Sequence, residues 1–153
     1  MIKIKKSQTA DTRTCDYTKV SKEQLLASTV SHIEDVRKGL EFMARALVEA
    51  GSRHDHTKLT KMESFHRDFL TGLKSTDWWE MHKREERHHL VGNETIPEDV
   101  NLIDVIECIV DGVMAGMARS GSYTYMPIPA EILETAVKNT AKLLLSNIEI
   151  SSQ

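Results

Sequence analysis

The amino-acid sequence predicts an all-α protein, a compact single-domain bundle of about five helices after a short irregular arm. Apolar residues recur at steps of three and four along extended segments, which is the spacing of one helix face. Capping and terminating residues separate these segments. A chain of 153 residues can bury one core and shows no internal repeat or linker. We therefore assign residues 1–20 to the arm and 21–153 to the helical domain.

The first predicted helix is long and the second is shorter. Ser21 opens a capping-box sequence, SKEQ, and the first helix should stop near Gly51. Its apolar face contains Leu26, Val30, Ile33, Val36, Leu40, Met43 and Leu47. The second helix is expected over about 57–72, so His54 and Asp55 lie at its start. Asp is a common N-cap residue, and a cap alone would explain Asp55.

Three further helices complete the predicted fold. The segment STDWWEMHKREERHHL, residues 75–90, is typical of a polar helix that Asp77 can cap. A loop with Gly, Asn and Pro follows it. A strongly apolar fourth helix should end at Gly121, and a fifth should begin at Pro129, a residue favoured in the first helical turn.

Composition excludes several classes of protein. A formal net charge of −3 argues against a protein that coats nucleic acid. No apolar run approaches the roughly 20 residues of a membrane span, and the N-terminus lacks the apolar segment of a signal peptide. Cys15 and Cys108 lie far apart, which suits a reducing compartment. We expect a cytoplasmic protein with no membrane partner.

Histidines and acids concentrate in the centre of the chain. The third predicted helix contains His82, His88 and His89 as well as Glu85 and Glu86. Such a cluster is either a solvated charged face or a set of metal ligands, because imidazole and carboxylate bind first-row metal ions.

The fourth predicted helix adds three acids on one side, Asp104, Glu107 and Asp111, at positions i, i+3 and i+7. The flanking residues are almost all apolar, so some of these carboxylates should be drawn inward. A buried carboxylate needs a partner such as a cation or a metal ion. The alternative is an acidic stripe in contact with solvent.

The order of these residues resembles a known signature. His32, His54-Asp55 and Asp111 follow one another like the H…HD…D pattern of the HD-domain superfamily of metal-dependent phosphohydrolases. His82 and either His88 or His89 extend the pattern to its two-metal form. The chain also resembles a small uncharacterised HD-like family and a conserved T-even-type bacteriophage protein of unassigned role. The resemblance covers about residues 30–115.

The resemblance implies a divalent metal ion, one or two in number, drawn from Mn, Fe, Co, Ni, Zn or Mg. The ligands of the first would be His32, His54, Asp55 and Asp111, and those of the second His82 and either His88 or His89. Metal-bound water would attack a nucleotide or another small phosphate ester. A phage-encoded protein would act in the host cytoplasm.

One position departs from the family pattern. HD nucleotidases that resemble this layout have a catalytic Glu shortly after the HD pair, whereas Lys58 stands there in this chain. We therefore expect Asp55, Lys58 and Glu107 to be catalytic, with Glu107 in the acid/base role. Arg53, Lys58 and Arg87 are the candidates for holding the phosphate.

The sequence is also compatible with other functions. The same HD ligands serve di-iron oxygenases. The Glu-x-x-His spacing also fits four-helix di-iron proteins. The ligands would be Glu63, His66, Glu85 or Glu86 and its His, Glu34 or Glu41, and Glu107. A non-catalytic helical binding protein with a structural metal is a third alternative. Trp78 and Trp79 suit either base stacking or a core, and the Met-rich fourth helix suits either a core or a homo-oligomer contact.

Overall fold

The predicted all-α class is confirmed. A computed structural model describes residues 1–9, 11–74 and 77–151, which are mostly helical. The helices of this described part are α1 Lys22–Arg53, α2 His56–Thr60, α3 Met62–Phe69, α4 Trp78–Glu85, α5 Leu102–Ser120 and α6 Ala130–Ser146. Two strands accompany them, β1 Ile2–Lys5 and β2 Ile148–Ser151. The expected second helix is divided into α2 and α3, because Lys61 has the non-helical torsion angles φ −123° and ψ 36°.

The chain forms two compact units. The first unit is Met1–Arg45 with Lys142–Gln153, and the second is Ala46–Ala141. Both boundaries fall within helices, α1 and α6, where the sequence shows no linker composition. A division of this kind therefore leaves no local signal in the sequence.

The first unit joins the two ends of the chain in a parallel two-stranded sheet. Ile2 lies opposite Ile148 and Lys5 opposite Ser151, and the Ile2 side chain is buried. The arm thus contains a strand. The predicted capping box at the start of α1 is present, since Ser21 N–H donates to Gln24 Oε1 at 2.9 Å and Gln24 N–H donates to Ser21 Oγ at 3.2 Å.

The second unit contains a small hydrophobic core around α5 and α6. Its buried residues are Leu90, Val100, Val105, Cys108 and Ala136. Leu102 N–H donates to Thr140 Oγ1 at 2.8 Å and links the two helices. Asn101 and Asp104 form a capping box that fixes where α5 begins. Cys15 and Cys108 are both free thiols. Among the described helices, we find none with the length and apolar character needed to cross a membrane.

Candidate metal centre

Histidine and aspartate side chains of the second unit form two groups with the spacing of metal ligands. The His54 group is His54, His88 and Asp111, and the His82 group is Asp55, His82 and His89. Within each group the nitrogen and oxygen atoms lie within 4.8 Å of one another. Imidazole and carboxylate are both ligands of first-row metal ions. Each group could therefore hold a metal ion.

Asp55 faces both groups instead of capping a helix. It lies at the N-terminus of α2 in the left-handed region, with φ 54° and ψ 24°, and its side chain makes no capping hydrogen bond. Its Oδ1 is 3.3 Å from His82 Nε2, and its Oδ2 is 3.5 Å from His54 Nε2. A non-glycine residue with positive φ is uncommon and is often found at functional sites. The helix-cap explanation of Asp55 is therefore set aside.

His88 and His89 follow α4 rather than belonging to it. The sequence predicts a third helix that continues to Leu90, but α4 ends at Glu85. Residues 75 and 76, where this helix was predicted to begin, lie outside the described residues. The turn after the helix directs the two imidazoles to different groups. His88 joins the His54 group, with its ring centroid 4.4 Å from that of His54, and His89 Nε2 lies 3.0 Å from His82 Nε2. Each group thus receives one histidine of the pair.

The ligand separations and the unsatisfied atoms fit a bound metal. Two ligands that bind one ion at 2.0–2.1 Å lie about 3.3–3.4 Å apart at a tetrahedral angle and about 2.8–3.0 Å apart at a right angle. His82 Nε2 is 3.0 Å from His89 Nε2 and 3.3 Å from Asp55 Oδ1. Within the described residues, Asp55 Oδ1 and His88 Nε2 are buried and have no hydrogen-bond partner. Buried polar atoms normally have one, so a metal ion would satisfy these atoms.

Glu107 orients both histidines of the His54 group. Its Oε1 is 2.9 Å from His54 Nδ1, where it accepts a hydrogen bond, and 3.2 Å from His88 Nδ1. A carboxylate at Nδ1 keeps the proton there and leaves the Nε2 lone pair free for a metal. Burial raises the pKa of Glu107, but His88 and His54 outweigh it and hold this pKa below its usual range. Burial lowers the pKa of His88, and Glu107 more than compensates, so the pKa is raised.

Thr57 and Glu86 orient His82 in the second group. Thr57 Oγ1 is 2.6 Å from Glu86 Oε1 and 2.6 Å from His82 Nδ1. Glu86 is ionised, because hydrogen bonds from Thr57 outweigh the effect of burial and lower its pKa. The Thr57 hydroxyl therefore donates to Glu86 and accepts from His82 Nδ1–H. This places the free lone pair of His82 on Nε2, which faces Asp55 and His89.

The sequence did not predict the chain of hydrogen bonds from His82 through Thr57 to Glu86. The usable signal was the spacing of four residues between His82 and Glu86, which puts both side chains on one helix face. Thr57 offered no comparable signal, because it is two residues from the HD pair but far from His82 in sequence.

The two tryptophans pack against the His82 group. Trp78 and Trp79 stack on His82 at ring-centroid distances of 4.8 and 5.3 Å, and Trp79 also meets the edge of His89 at 5.5 Å. These contacts favour a packing role over base stacking. Burial, followed by repulsion from His88 and His82, lowers the pKa of His89 to about 4. His89 is therefore neutral near pH 7, as a metal ligand must be.

Comparison with known proteins adds nothing to this geometry. No protein-family model, no curated protein and no solved structure matches the chain. The HD-domain resemblance stays a prediction, and the case for the metal centre depends on the side chains described above.

The three cations predicted to bind an anion, Arg53, Lys58 and Arg87, have different partners in the structure. Arg87 donates from Nε and Nη2 to Asp104, at 2.8 Å each, and from Nη1 to Asp99 at 2.9 Å, so carboxylates already hold it. The Asp104 ion pair raises the pKa of Arg87 against the effect of burial. Lys58 forms an ion pair with Asp55. Arg53 is exposed and lines a cleft of about 240 Å³.

The predicted ligand His32 has no support from the geometry. It lies in the first unit on an exposed position of α1, whereas both metal-binding groups among the described residues consist of second-unit side chains. The structure gives the His54 group His88 as its second histidine.

The Glu-x-x-His alternative also receives no support. Glu63 and His66 are both exposed, and neither belongs to a metal-binding group in the described part of the chain. Glu85 is 2.9 Å from Lys61 Nζ. Glu34 and Glu41, the suggested ligands in the first unit, both form ion pairs with Arg37.

A cleft gives access to the His54 group. It has a volume of about 330 Å³, and His54, Glu107 and Asp111 form its polar wall. Apolar side chains, including Leu47 and Met114, line much of the remainder. A volume near 300 Å³ is at the lower end of the range for small-molecule sites.

Proposed function

We propose that this protein is a metal-dependent phosphohydrolase that acts on a nucleotide or another small phosphate ester through a metal-activated water. The carrying observation is Asp55, whose two carboxylate oxygens face one histidine of each metal-binding group, at 3.3 and 3.5 Å. A carboxylate so placed can serve two ions at once. The HD-like order of the residues supports the same function.

The proposal assigns a task to each group. His54, His88 and Asp111 would hold one divalent ion, His82 and His89 would hold the other, and Asp55 would contribute to both sites. A bound divalent ion lowers the pKa of water to supply hydroxide near neutral pH, and a second ion offsets charge on the phosphoryl oxygens. A mixed imidazole and carboxylate set accepts several first-row ions, so the proposal leaves the element open.

Lys58 is the cation best placed to contact a phosphate. Its ammonium group carries three N–H donors, and Asp55 is the partner that the structure shows for it. A donor beyond the one directed to Asp55 can bind a phosphoryl oxygen next to the metal ligands. Arg87 is less suited, because Asp104 and Asp99 occupy its donors.

A comparison of two histidine variants tests the proposed function. Protein purified without chelator is analysed for metal and then assayed against nucleotides and other phosphate esters with Mn, Fe, Co, Ni, Zn and Mg. We expect hydrolysis by the wild type, loss of metal and hydrolysis in His54→Ala, and retention of both in His66→Ala. Loss confined to His66→Ala would instead support the four-helix di-iron site.

Two other outcomes would reject the hydrolase. Iron-dependent oxygen consumption without ester hydrolysis would assign the same ligands to an oxygenase. A chain that binds no metal under any supplement would be a binding protein with a degenerate site.

Glu107→Gln separates orientation from acid/base catalysis. If Glu107 orients His54 and His88, we expect the metal affinity of the His54 group to fall about 10–100-fold, with kcat recovering at saturating metal. Metal titration by calorimetry and kcat at saturation are the measurements. A kcat that stays low at saturating metal would show that Glu107 acts as the acid/base. Asp104→Asn is the control, because Asp104 caps α5 and pairs with Arg87 without contacting either group.

A further inference from the structure

The cleft beside the His54 group has a mainly aliphatic lining. Ile106, Val110 and Met114 are spaced by four residues on one face of α5, and Leu47 and Gly51 near the end of α1 also line the cleft. The described residues of this lining all belong to the second unit. The chemical character of the cleft is therefore set within one unit.

The polar groups of the cleft are those of the metal centre. His54 and Asp111 belong to the His54 group, and His54 Nε2 is 3.5 Å from Asp111 Oδ1. Glu107 is 2.9 Å from His54 Nδ1 and 3.2 Å from His88 Nδ1. A phosphoryl group bound to a metal at the His54 group would thus have the aliphatic lining as its neighbour. The nearby polar atoms are already engaged with one another.

A nucleotide would leave several of its polar groups without partners in this cleft. Among the described residues of the lining there is no Lys, Arg, Phe, Tyr or Trp. Nucleobases are commonly held by stacking on aromatic side chains, and polyphosphates are held by cations. Sugar hydroxyls and base N–H groups that lose water without gaining a partner weaken binding. An alkyl group loses no hydrogen bond there, and burial of its surface favours binding.

We propose that the substrate is a small phosphate monoester with an apolar organic group, and that this group occupies the cleft against Val110 and Met114. This inference rests on the proposed hydrolase function. In the reaction the oxygen of water bonds to phosphorus, the P–O bond to the organic group breaks, and one proton of the water passes to the leaving oxygen. The products are an apolar alcohol and inorganic phosphate.

Hydrolysis of matched monoesters by the metal-supplemented protein tests the substrate class. Propyl phosphate is glycerol 1-phosphate without the free hydroxyl groups, so the pair isolates the polarity of the organic group. We expect propyl phosphate to have a kcat/KM about tenfold or more above those of glycerol 1-phosphate and adenosine monophosphate. From ethyl to pentyl phosphate, each added methylene should raise kcat/KM about twofold to fourfold until the cleft is full.

Gly51→Leu tests whether the organic group lies in this cleft. A Cβ at Gly51 meets no atom within 4 Å, so the helix can accept a side chain there that fills part of the cleft. We expect the ratio of kcat/KM for pentyl phosphate to that for ethyl phosphate to fall about tenfold or more. Gly39→Leu is the matched control, because it makes the same change in α1 outside the cleft and also without a contact. It should keep the wild-type ratio.

Met114→Gln changes polarity at nearly constant side-chain length and serves if Gly51→Leu does not fold. It should lower the preference for propyl phosphate over glycerol 1-phosphate, whereas Met117→Gln should not, because Met117 lies on the same helix outside the lining. Circular dichroism confirms that each variant is folded. An unchanged preference in folded Met114→Gln, or an unchanged ratio in folded Gly51→Leu, would overturn the inference.

Binding of alkylphosphonates separates this inference from the hydrolase function. Their carbon–phosphorus bond replaces the bond that is hydrolysed, so calorimetric titration of the metal-supplemented protein measures binding alone. We expect pentylphosphonate to bind about tenfold or more tightly than methylphosphonate. If no ester is hydrolysed but this preference is found, the hydrolase function fails and the apolar cleft stands. Hydrolysis that favours adenosine monophosphate or glycerol 1-phosphate would overturn the apolar substrate and leave the hydrolase. Equal binding of the two phosphonates, or binding of neither, would also overturn it.

Discussion

Asp55→Asn is expected to lower kcat for phosphate-ester hydrolysis by about 10³-fold or more and to weaken metal binding at both groups. A metal ion supplies several kcal/mol of transition-state stabilisation, and each 1.36 kcal/mol is tenfold in rate. Among the carboxylates that the structure describes, Asp55 is the one whose oxygens face a histidine of each group. No substitution at a ligand of a single group should have so broad an effect.

The choice of Asn isolates the charge from the backbone. Asp55 has φ 54°, and Asn tolerates this left-handed conformation better than most residues. Burial alone would raise the pKa of Asp55, but the proximity of His82, at 3.3 Å, and the ion pair with Lys58 outweigh it and hold this pKa well below its usual range. The wild-type carboxylate is therefore ionised at any working pH, and the variant removes a full charge.

Metal content by mass spectrometry and kcat at saturating metal measure the effect. His66→Ala is the control, because His66 is exposed and belongs to neither group. It should keep metal and activity within about twofold. A folded Asp55→Asn variant with wild-type metal content and rate would show that the centre is not at these residues.

The helices that follow from the sequence are those with strong local signals. The capping box at Ser21 marks the start of α1, and Gly121, with φ 68°, ends α5 as its position predicts. Both features depend on residues within a few positions of one another. The break at Lys61 and the early end of α4 interrupt a continuing periodic pattern, so periodicity alone did not reveal them.

Long-range pairing was beyond the reach of local pattern. β1 and β2 are paired although they lie near opposite ends of the sequence. No residue close to either strand in sequence indicates which segment it pairs with. The division into two units is similar, because it falls inside two helices of ordinary composition. Such features follow from tertiary contacts and not from propensity.

For the candidate site, the sequence predicted which residues lie in the metal-binding groups better than it predicted how they are grouped. His54, Asp55, His82 and Asp111 were expected as ligands, and the structure brings all four into the two groups. Order along the chain does not determine distance, however. His32 was predicted beside His54, and His88 or His89 beside His82, whereas the structure groups His88 with His54 and His89 with His82. The orienting contacts of Thr57, Glu86 and Glu107 also required coordinates, since hydrogen-bond geometry leaves no fixed spacing in sequence.

Thr57→Val is expected to weaken metal binding at the His82 group about 10–100-fold while leaving the His54 group nearly unchanged. Valine has the shape of threonine but no hydroxyl, so His82 Nδ1 loses the acceptor that lies 2.6 Å away. His82 is then free to adopt the other tautomer, with its proton on Nε2, where it blocks the metal. Calorimetric titration should show two binding steps, of which one is weakened.

The variant should also cost stability, because it leaves polar groups unsatisfied in a fully buried place. Thr57 and His82 are both 0% exposed, and an unpaired buried donor or acceptor costs about 1–3 kcal/mol. Unfolding in the presence of chelator measures this loss separately from metal affinity. Thr57→Ser keeps the hydroxyl and should restore both quantities, since it removes only a methyl group. If Thr57→Val loses stability but binds two metal equivalents as the wild type does, then Thr57 and Glu86 support the packing around His82 without setting its tautomer.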